Sequence, residues 1–202
     1  MTYHRRTFLL GLGSLPFTSY AQADLDASAT KLINTARAQI GITTGYDGAY
    51  RSLTYPNGDV ARATGVCTDV IIRAYRDAFD FDLQSAVNQD MRTNFSDYPK
   101  IWGLSRPDSN IDHRRVPNLE IFLKRKGAHL AMPDNIRELT AGDLLTFRLP
   151  GNLPHIALIS DRTTPQGLPK IIHNIGQGAQ EDPLSADLQA LMRRRYRFLH
   201  GL

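Results

Sequence analysis

Residues 65–76 of the chain read GVCTDVIIRAYR, and the spacing of their apolar side chains predicts an amphipathic helix. The apolar stripe consists of Val70, Ile71, Ala74, Tyr75 and Ala78. We expect the helix to begin near Gly65 or Val66, so Cys67 lies in its first turn and on the same stripe. The helix therefore presents one face to a core and carries a cysteine at its amino-terminal end.

Three further helices are predicted around this one. The first spans about residues 27–40, the third follows Asp82, and the fourth spans about residues 117–126, with proline at its start and glycine after its end. Residues 46–59 are rich in Tyr and Gly and end in a Pro-Asn-Gly-Asp turn signal, which predicts a loop or irregular hairpin.

The pattern changes after Thr140. Short apolar or alternating runs at residues 144–148, 155–161 and 170–175 are separated by turn-forming residues, which predicts a meander of antiparallel strands. We expect a last strand at residues 196–199. Helices followed by an antiparallel sheet define the α+β class.

Composition limits the possible functions. The 202 residues are 42% hydrophobic and carry a net charge of +4, which fits one globular domain and gives little support for nucleic-acid binding. The single cysteine excludes an internal disulfide and any multi-cysteine metal site.

The amino-terminal residues 1–23 are typical of a signal peptide. Arg5 and Arg6 precede an apolar stretch, and an Ala-Gln-Ala cleavage site ends at Ala23. The paired arginines resemble a twin-arginine export signal. The apolar stretch is too short for a stable membrane span. We therefore expect a periplasmic or secreted protein whose mature domain is residues 24–202.

Cys67 is a candidate nucleophile. A thiol in the first turn of a helix faces the positive end of the helix dipole, which favours the thiolate, so we expect a lowered pKa. The alternative is that Cys67 only fills the core, because free cysteines are among the most buried residues.

Two histidines lie on neighbouring predicted strands. If paired positions in the hairpin sum to an even number, His155 and His173 are direct or diagonal neighbours on one face; if the sum is odd, Asn174 replaces His173 beside His155. Either neighbour could orient the His155 imidazole while that imidazole deprotonates Cys67.

Several blocks resemble the NlpC/p60 superfamily of papain-like cysteine peptidases in order and character. These blocks are GVCTDV at 65–70, LTAGDLL at 139–145, HIALI at 155–159 and IHN at 172–174. Within that superfamily, GVCTDVIIRAYR at 65–76, DHRRVPN at 112–118 and IHNIG at 172–176 are similar to the family called domain of unknown function 1287. This second resemblance covers most of residues 30–198.

The resemblance implies a papain-like α+β fold in which the nucleophile helix packs on a carboxy-terminal antiparallel sheet. It implies that Cys67 is the nucleophile, His155 the general base and His173 the residue that orients it, with no cofactor and no metal. It also implies a hydrolase acting on amide bonds of peptidoglycan stem peptides, and we expect a monomer. The usual Asp-Cys-Ser-Gly block is here Val-Cys-Thr-Asp at 66–69, a departure that bears on substrate preference.

Other residues are candidates for substrate binding. Among three upstream tyrosines, Tyr55 best matches the spacing of a substrate-contacting tyrosine in related enzymes, and Tyr46 and Tyr50 are the others. Asp69 either favours the helix dipole or contacts substrate. Arg114 and Arg115 are candidates to hold the carboxylates that wall peptides carry, or they belong to a solvated loop. The arginine-rich residues 193–197 either steer the protein toward an anionic wall or form a helix end and edge strand.

Three other functions stay open. A metal hydrolase would use His113, His155, His173 and a carboxylate such as Asp143, although no spaced ligand motif is present. A non-catalytic periplasmic binding module of the same fold is the second. The third is an acyl or amide hydrolase acting on a substrate outside the wall, such as the target of a toxin.

Overall fold

The structure, a computed structural model, describes residues 18–199. Residues 1–17 of the predicted signal lie outside this range, so the export signal stays a prediction. The helices are α1 (Thr18–Arg37), α2 (Cys67–Phe79), α3 (Leu83–Asn94), α4 (Val116–Arg125) and α5 (Ala186–Leu191). The strands are β1 (Gly45–Tyr46), β2 (Thr64–Gly65), β3 (His129–Leu130), β4 (Leu144–Leu149), β5 (Leu153–Thr163), β6 (Pro169–Asn174), β7 (Ala179–Pro183) and β8 (Met192–Tyr196).

The architecture confirms the α+β prediction, with helices in the first half and an antiparallel sheet in the second. The main sheet has six strands in the order β3-β8-β4-β5-β6-β7, and its strand pairs are antiparallel. The short β1 and β2 form a separate parallel pair just before α2. No helix in the described part of the chain is both long enough and apolar enough to cross a bilayer.

The two faces of the sheet are buried separately because alternate residues of a strand point to opposite sides. One set packs in the same core cluster as α1 and α2, namely Leu144, Ile156, Leu158 and Ile172. The other set forms a second cluster with Leu184, namely Leu145, Phe147, Ala157, Ile159 and Ile171, and Leu188 of α5 packs against it. The helices therefore cover one face, and the chain after β7 helps to cover the other.

The start of α2 follows directly from its sequence. Val66 is the N-cap residue, and its N–H donates to Oδ2 of Asp69 at 2.6 Å. A carboxylate in the first turn suits the positive end of the helix dipole, as expected for Asp69. The predicted helix is confirmed, with Cys67 as its first residue.

The other helix predictions hold with small shifts, except at α1. Asp82 caps α3 through a hydrogen bond to the Gln84 N–H, and α4 begins at Val116 rather than at residue 117. α1 is predicted at about residues 27–40, but it begins at Thr18 and ends at Arg37. The chain then enters hydrogen-bonded turns, where the side chain of Gln39 is buried and donates to the carbonyl of Val70 at 2.8 Å.

The carboxy-terminal strands correct the sequence analysis. β7 and α5 were not predicted, and the last strand is Met192–Tyr196 rather than residues 196–199. Two arginines of β8 form ion pairs with acidic side chains. Arg194 pairs with Glu120 at 3.0 Å, and Arg195 pairs with Asp143. The sequence alone does not show these partners, which lie far away along the chain.

Candidate active site

Cys67 lies at the junction of α2 and β5. Its side chain is 4% exposed and packs in the core cluster that includes Ile156. The Ile156 N–H, which belongs to the peptide directly after His155, lies close enough to hydrogen-bond the sulfur. The candidate nucleophile therefore lies against the strand that carries the candidate base.

The position of Cys67 at a helix start predicts a lowered pKa, but the structure shows the opposite shift. Burial raises the pKa of Cys67 to about 11, although backbone N–H groups of Ile156, Thr68 and Cys67 itself favour the thiolate. The nearby Asp69 carboxylate adds to the rise in pKa. Desolvation outweighs the helix start here, so the resting group is a neutral thiol.

His155 and His173 form a buried pair. Leu158 pairs with Ile172 and Ile159 with Ile171, so paired positions sum to an even number and the two histidines are diagonal neighbours. His155 Nε2 lies 2.9 Å from His173 Nδ1. Burial lowers the pKa of His155 to about 3, and it also lowers the pKa of His173, where Asp182 partly opposes the shift. Both imidazoles are therefore neutral near pH 7.

Asp182 extends this pair into a chain of three side chains, which sequence reasoning missed. His173 Nε2 lies 3.2 Å from Asp182 Oδ2. An ionised carboxylate only accepts hydrogen bonds, so His173 carries its proton on Nε2, and its Nδ1 accepts from His155 Nε2–H. The basic nitrogen left on His155 is then Nδ1. No sequence signal pointed to Asp182, because β7 is polar, contains a proline and was not recognised as a strand.

Asn174 is not the neighbour of His155. Its Nδ2 donates to the carbonyls of Gly65 at 2.9 Å and Gly45 at 3.1 Å, and its Oδ1 accepts from the N–H groups of Gly176 and Gly178. Asn174 therefore ties the segments before α2 to the end of β6. Of the two residues that the sequence offers as the neighbour of His155, the structure shows His173.

The His155 and His173 rings lie on the sheet face opposite to the one against which Cys67 packs. His155 pairs with Phe147, which belongs to the cluster on the face away from α2, whereas Ile156 belongs to the cluster that contains Cys67. Within residues 18–199, no hydrogen bond joins the Cys67 sulfur to His155 or His173, and the contact of the sulfur with β5 is through the Ile156 N–H.

Arg114 and Asp69 form a buried ion pair, so neither faces a substrate. Arg114 donates through Nε and Nη2 to the two carboxylate oxygens of Asp69, at 2.9 and 2.8 Å. Its remaining contacts are the carbonyls of Asp47 and Ala49. The substrate-binding expectation for Arg114 and Asp69 is not supported, because burial and mutual pairing use their polar groups.

Arg115 and Tyr55 also have local partners. Arg115 pairs with Asp112 at 3.0 Å, and its guanidinium lies 4.1 Å from the centre of the Trp102 ring. Tyr55 is 42% exposed, with its hydroxyl 3.4 Å from Ser85 Oγ. Neither lies against Cys67 in the contacts of the described residues.

Tyr46 is the upstream tyrosine near the thiol. Burial raises its pKa to about 12, and the negative charges of ionised Cys67 and of Asp69 contribute, which places its phenol within electrostatic range of both. The residue is 48% exposed. Its spacing along the chain makes Tyr55 the better candidate for a tyrosine near the nucleophile. In the structure, the short β1–β2 pair instead brings Tyr46 alongside Gly65 and hence to the start of α2.

The residues of the alternative metal site are occupied elsewhere or separated. Asp143 pairs with Arg195 and Arg197, and His113 lies in a one-turn 3-10 helix at residues 112–114. In residues 18–199, no group of three His, Cys, Asp or Glu side chains is placed to hold a metal ion. The geometry does not support the metal-hydrolase alternative.

The Arg114–Asp69 pair gives a stability prediction. Arg114→Met leaves a buried carboxylate without its partner, so we expect the free energy of unfolding to fall by about 3–5 kcal/mol. Arg51→Met, at the exposed pair with Asp47, should cost less than about 1 kcal/mol. Urea unfolding followed by circular dichroism measures both, and equal losses in the two variants would contradict the assigned structural role of Arg114.

Comparisons with known proteins agree with the motifs. The sequence profile of the family described as "Domain of unknown function (DUF1287)" matches residues 33–198. The uncharacterized protein YijF of Escherichia coli (strain K12) is 48% identical over 161 residues, which cover 80% of this chain and 78% of YijF.

The structure of NlpC1 from Trichomonas vaginalis is also similar. It shares 13% identity at a TM-score of 0.39, over 87% of this chain and 44% of NlpC1, so the chain spans less than half of that protein. A similarity of this size does not define an activity. On its sequence match over most of its length, the chain belongs to the DUF1287 family.

Proposed function

We propose that this protein is an exported cysteine-dependent amidase or endopeptidase that hydrolyses amide bonds in the stem peptides of peptidoglycan. The observation that carries the proposal is the His155–His173 hydrogen bond of 2.9 Å on β5 and β6, together with a thiol at the start of a helix that packs against β5 at Ile156. Cysteine, an imidazole base and a residue that orients the base are the components of thiol-dependent acyl transfer. The choice of wall peptides rests on the resemblance of the motif blocks to NlpC/p60 peptidases.

The chain of side chains assigns a role to each nitrogen. Asp182 accepts from His173 Nε2–H, and His173 Nδ1 accepts from His155 Nε2–H. His155 Nδ1 thereby keeps a lone pair, and the proposal requires it to take the thiol proton past the start of β5, which is not paired with β6 before Leu158. Fixing one tautomer in advance removes a reorientation step from the reaction.

The reaction starts from neutral groups because burial opposes charge on both the thiol and the imidazole. As the sulfur attacks the peptide carbonyl carbon, the S–H proton passes to His155 Nδ1 and the carbonyl electrons move to oxygen. His155 then gives the proton to the leaving amine as the C–N bond breaks, which leaves a thioester on Cys67. Water, deprotonated by His155, attacks the thioester and releases the acid and the thiol.

Tyr46 is the proposed first contact for the substrate. It is half exposed and within electrostatic range of the buried thiol, and a tyrosine offers an apolar ring with one polar end. In this proposal Tyr46 takes the role that spacing suggested for Tyr55.

A non-catalytic binding module is the second candidate. The observation that favours it is the buried, neutral thiol, which makes no hydrogen bond to an imidazole within the described residues. In that case the fold would bind wall peptides without cutting them. Substitution of Cys67 separates the two candidates.

We expect Cys67→Ala to abolish release of peptide fragments from purified peptidoglycan, with a loss of at least about 10³-fold, because no other group replaces the nucleophile. Mass spectrometry of the soluble products measures this, and circular dichroism checks the fold. The control is Thr93→Ala, an exposed position on α3 away from the site, which should digest like the unmodified protein. Digestion by Cys67→Ala at the normal rate would refute the enzyme proposal.

His173→Ala and Asn174→Ala should fail in different ways. His173→Ala frees the base from its orienting partner, so kcat should fall by about 10²–10⁴-fold. Asn174→Ala leaves the Gly45 and Gly65 carbonyls without their donor, so it should mainly lower stability, with kcat of the folded fraction within about tenfold of normal. Steady-state kinetics combined with urea unfolding tests this, and the reverse ranking of kcat would assign the orienting role to Asn174.

The pH profile follows from the lowered pKa of His155, about 3, which keeps the base neutral well below pH 6.5. We expect kcat/KM at pH 5 to be within about twofold of its value at pH 7, whereas an imidazole of ordinary pKa would retain only roughly 4% of its value at pH 7. A histidine with a lowered folded-state pKa stabilises the fold above pH 6.5 and loses that contribution as the pH falls toward the folded pKa, so unfolding is followed at each pH. An acid limb centred near pH 6.5 in folded protein would contradict the neutral-pair mechanism.

A further inference from the structure

A cavity of about 360 Å³ lies between α4 and the sheet, outside the residues that the mechanism uses. Its walls combine apolar and charged side chains, which include Ile101, Pro117, Glu120, Lys124, Arg148 and Arg194. Ile101 is 74% exposed, which is high for a large apolar residue. The combination of an apolar wall and clustered cations is typical of a site for a small, charged, partly apolar group.

Glu120 aligns the two arginines of this cavity. Its Oε2 accepts from Arg148 Nη2 at 3.2 Å and from Arg194 Nη1 at 3.0 Å. The Glu120 side chain is 6% exposed, and its Oε1 is buried without a hydrogen-bond donor in the described part of the chain. The buried carboxylate therefore holds two guanidinium groups side by side through a single oxygen.

The cavity keeps a surplus of positive charge. One carboxylate faces three cations, Arg148, Arg194 and Lys124. The Arg194 side chain is 49% exposed, and within residues 18–199 only Glu120 accepts a hydrogen bond from it. A guanidinium has five N–H donors, so most of those of Arg194 are free to bind a carboxylate.

The strand register places Arg194 relative to Ile156, the β5 residue against which Cys67 packs. Ile156 pairs with Thr146, and Thr146 pairs with Arg194. Directly paired residues point to the same side of a sheet, so Arg194 shares the face of Ile156, against which Cys67 packs. Two strand spacings amount to about 10 Å. That distance separates the backbones of Arg194 and Ile156.

We propose that Arg148 and Arg194 bind a carboxylate of the substrate peptide. This inference rests on the proposed function and specifies its substrate as an acidic peptide. The carboxylate belongs either to a side chain of the peptide or to its carboxy terminus, since both present the same two oxygens to a guanidinium fork. The role first considered for Arg114 and Arg115 thus falls to two arginines of the sheet.

The test uses binding as well as turnover. The probes are the synthetic stem peptide L-Ala-γ-D-Glu-diaminopimelate-D-Ala and derivatives in which one carboxylate at a time is a carboxamide. Binding to the Cys67→Ala protein is measured by calorimetry. We expect one amidated peptide to bind about tenfold more weakly than the unmodified peptide, and the position of that amide identifies the source of the carboxylate.

Arg194→Gln, made in the Cys67→Ala protein, should reduce that difference to less than about twofold. Arg193→Gln is the matched control, because Arg193 is also exposed on β8 but lies at the irregularity of the β4–β8 pairing and outside the cavity; it should keep the full difference. Arg194→Lys, which keeps the charge without the fork, should retain part of it. Urea unfolding of each variant confirms an intact fold, which the high exposure of Arg194 favours.

Three results would overturn the proposal. The first is that amidation of no carboxylate changes the affinity, and the second is that Arg193→Gln reduces the effect of amidation as much as Arg194→Gln does. The third is that no stem peptide binds. Failure of the proposed function looks different. If the unmodified protein cuts no stem peptide but the Arg194-dependent preference for a carboxylate remains, the carboxylate site stands and the enzyme proposal falls. If the protein cuts stem peptides but shows no preference for a carboxylate, the enzyme proposal stands and the carboxylate site falls.

Discussion

The hydrogen bonds of Asn174 hold together the part of the molecule on which the candidate site depends. One amide side chain donates to two carbonyls before α2 and accepts two N–H groups of the turn after β6. These bonds fix the start of α2 over the same end of the sheet at which β5 begins and β6 ends. This connection adds to the packing of α2 on β5 and β6 in the shared core cluster.

Burial decides the chemistry at that junction. A helix start favours a thiolate, and backbone N–H groups do point toward the Cys67 sulfur, yet the pKa of the thiol is raised because the sulfur is shielded from water. The same loss of solvation keeps both imidazoles neutral. The candidate site therefore consists of an uncharged thiol and two uncharged imidazoles. Asp182, on the neighbouring strand, forms the outer end of this chain of side chains through its contact with His173.

The arginines of this chain divide into two groups by burial. Arg114 is buried with Asp69 and reinforces the first turn of α2, while Arg194 is half exposed and shares one carboxylate with Arg148. A buried and fully paired guanidinium stabilises the fold only in the presence of its partner. A guanidinium that is aligned but only partly paired is available for recognition. The surroundings of an arginine thus separate the structural role of Arg114 from the binding role proposed for Arg194.

The sequence by itself determined the α+β class, the helix that begins at Cys67, the strand meander, and the even-sum register as one of two options. These features follow from local periodicity, capping residues and turn signals, which act over a few residues. Only the tertiary structure decided that His173 rather than Asn174 contacts His155, that Asp182 completes the chain, that Tyr46 rather than Tyr55 lies near the thiol, and that Arg114 is buried. Each of these four features depends on contacts between residues distant in the chain and on the exclusion of water by those contacts. The spacing of residues along the chain encodes neither the contacts nor the exclusion of water.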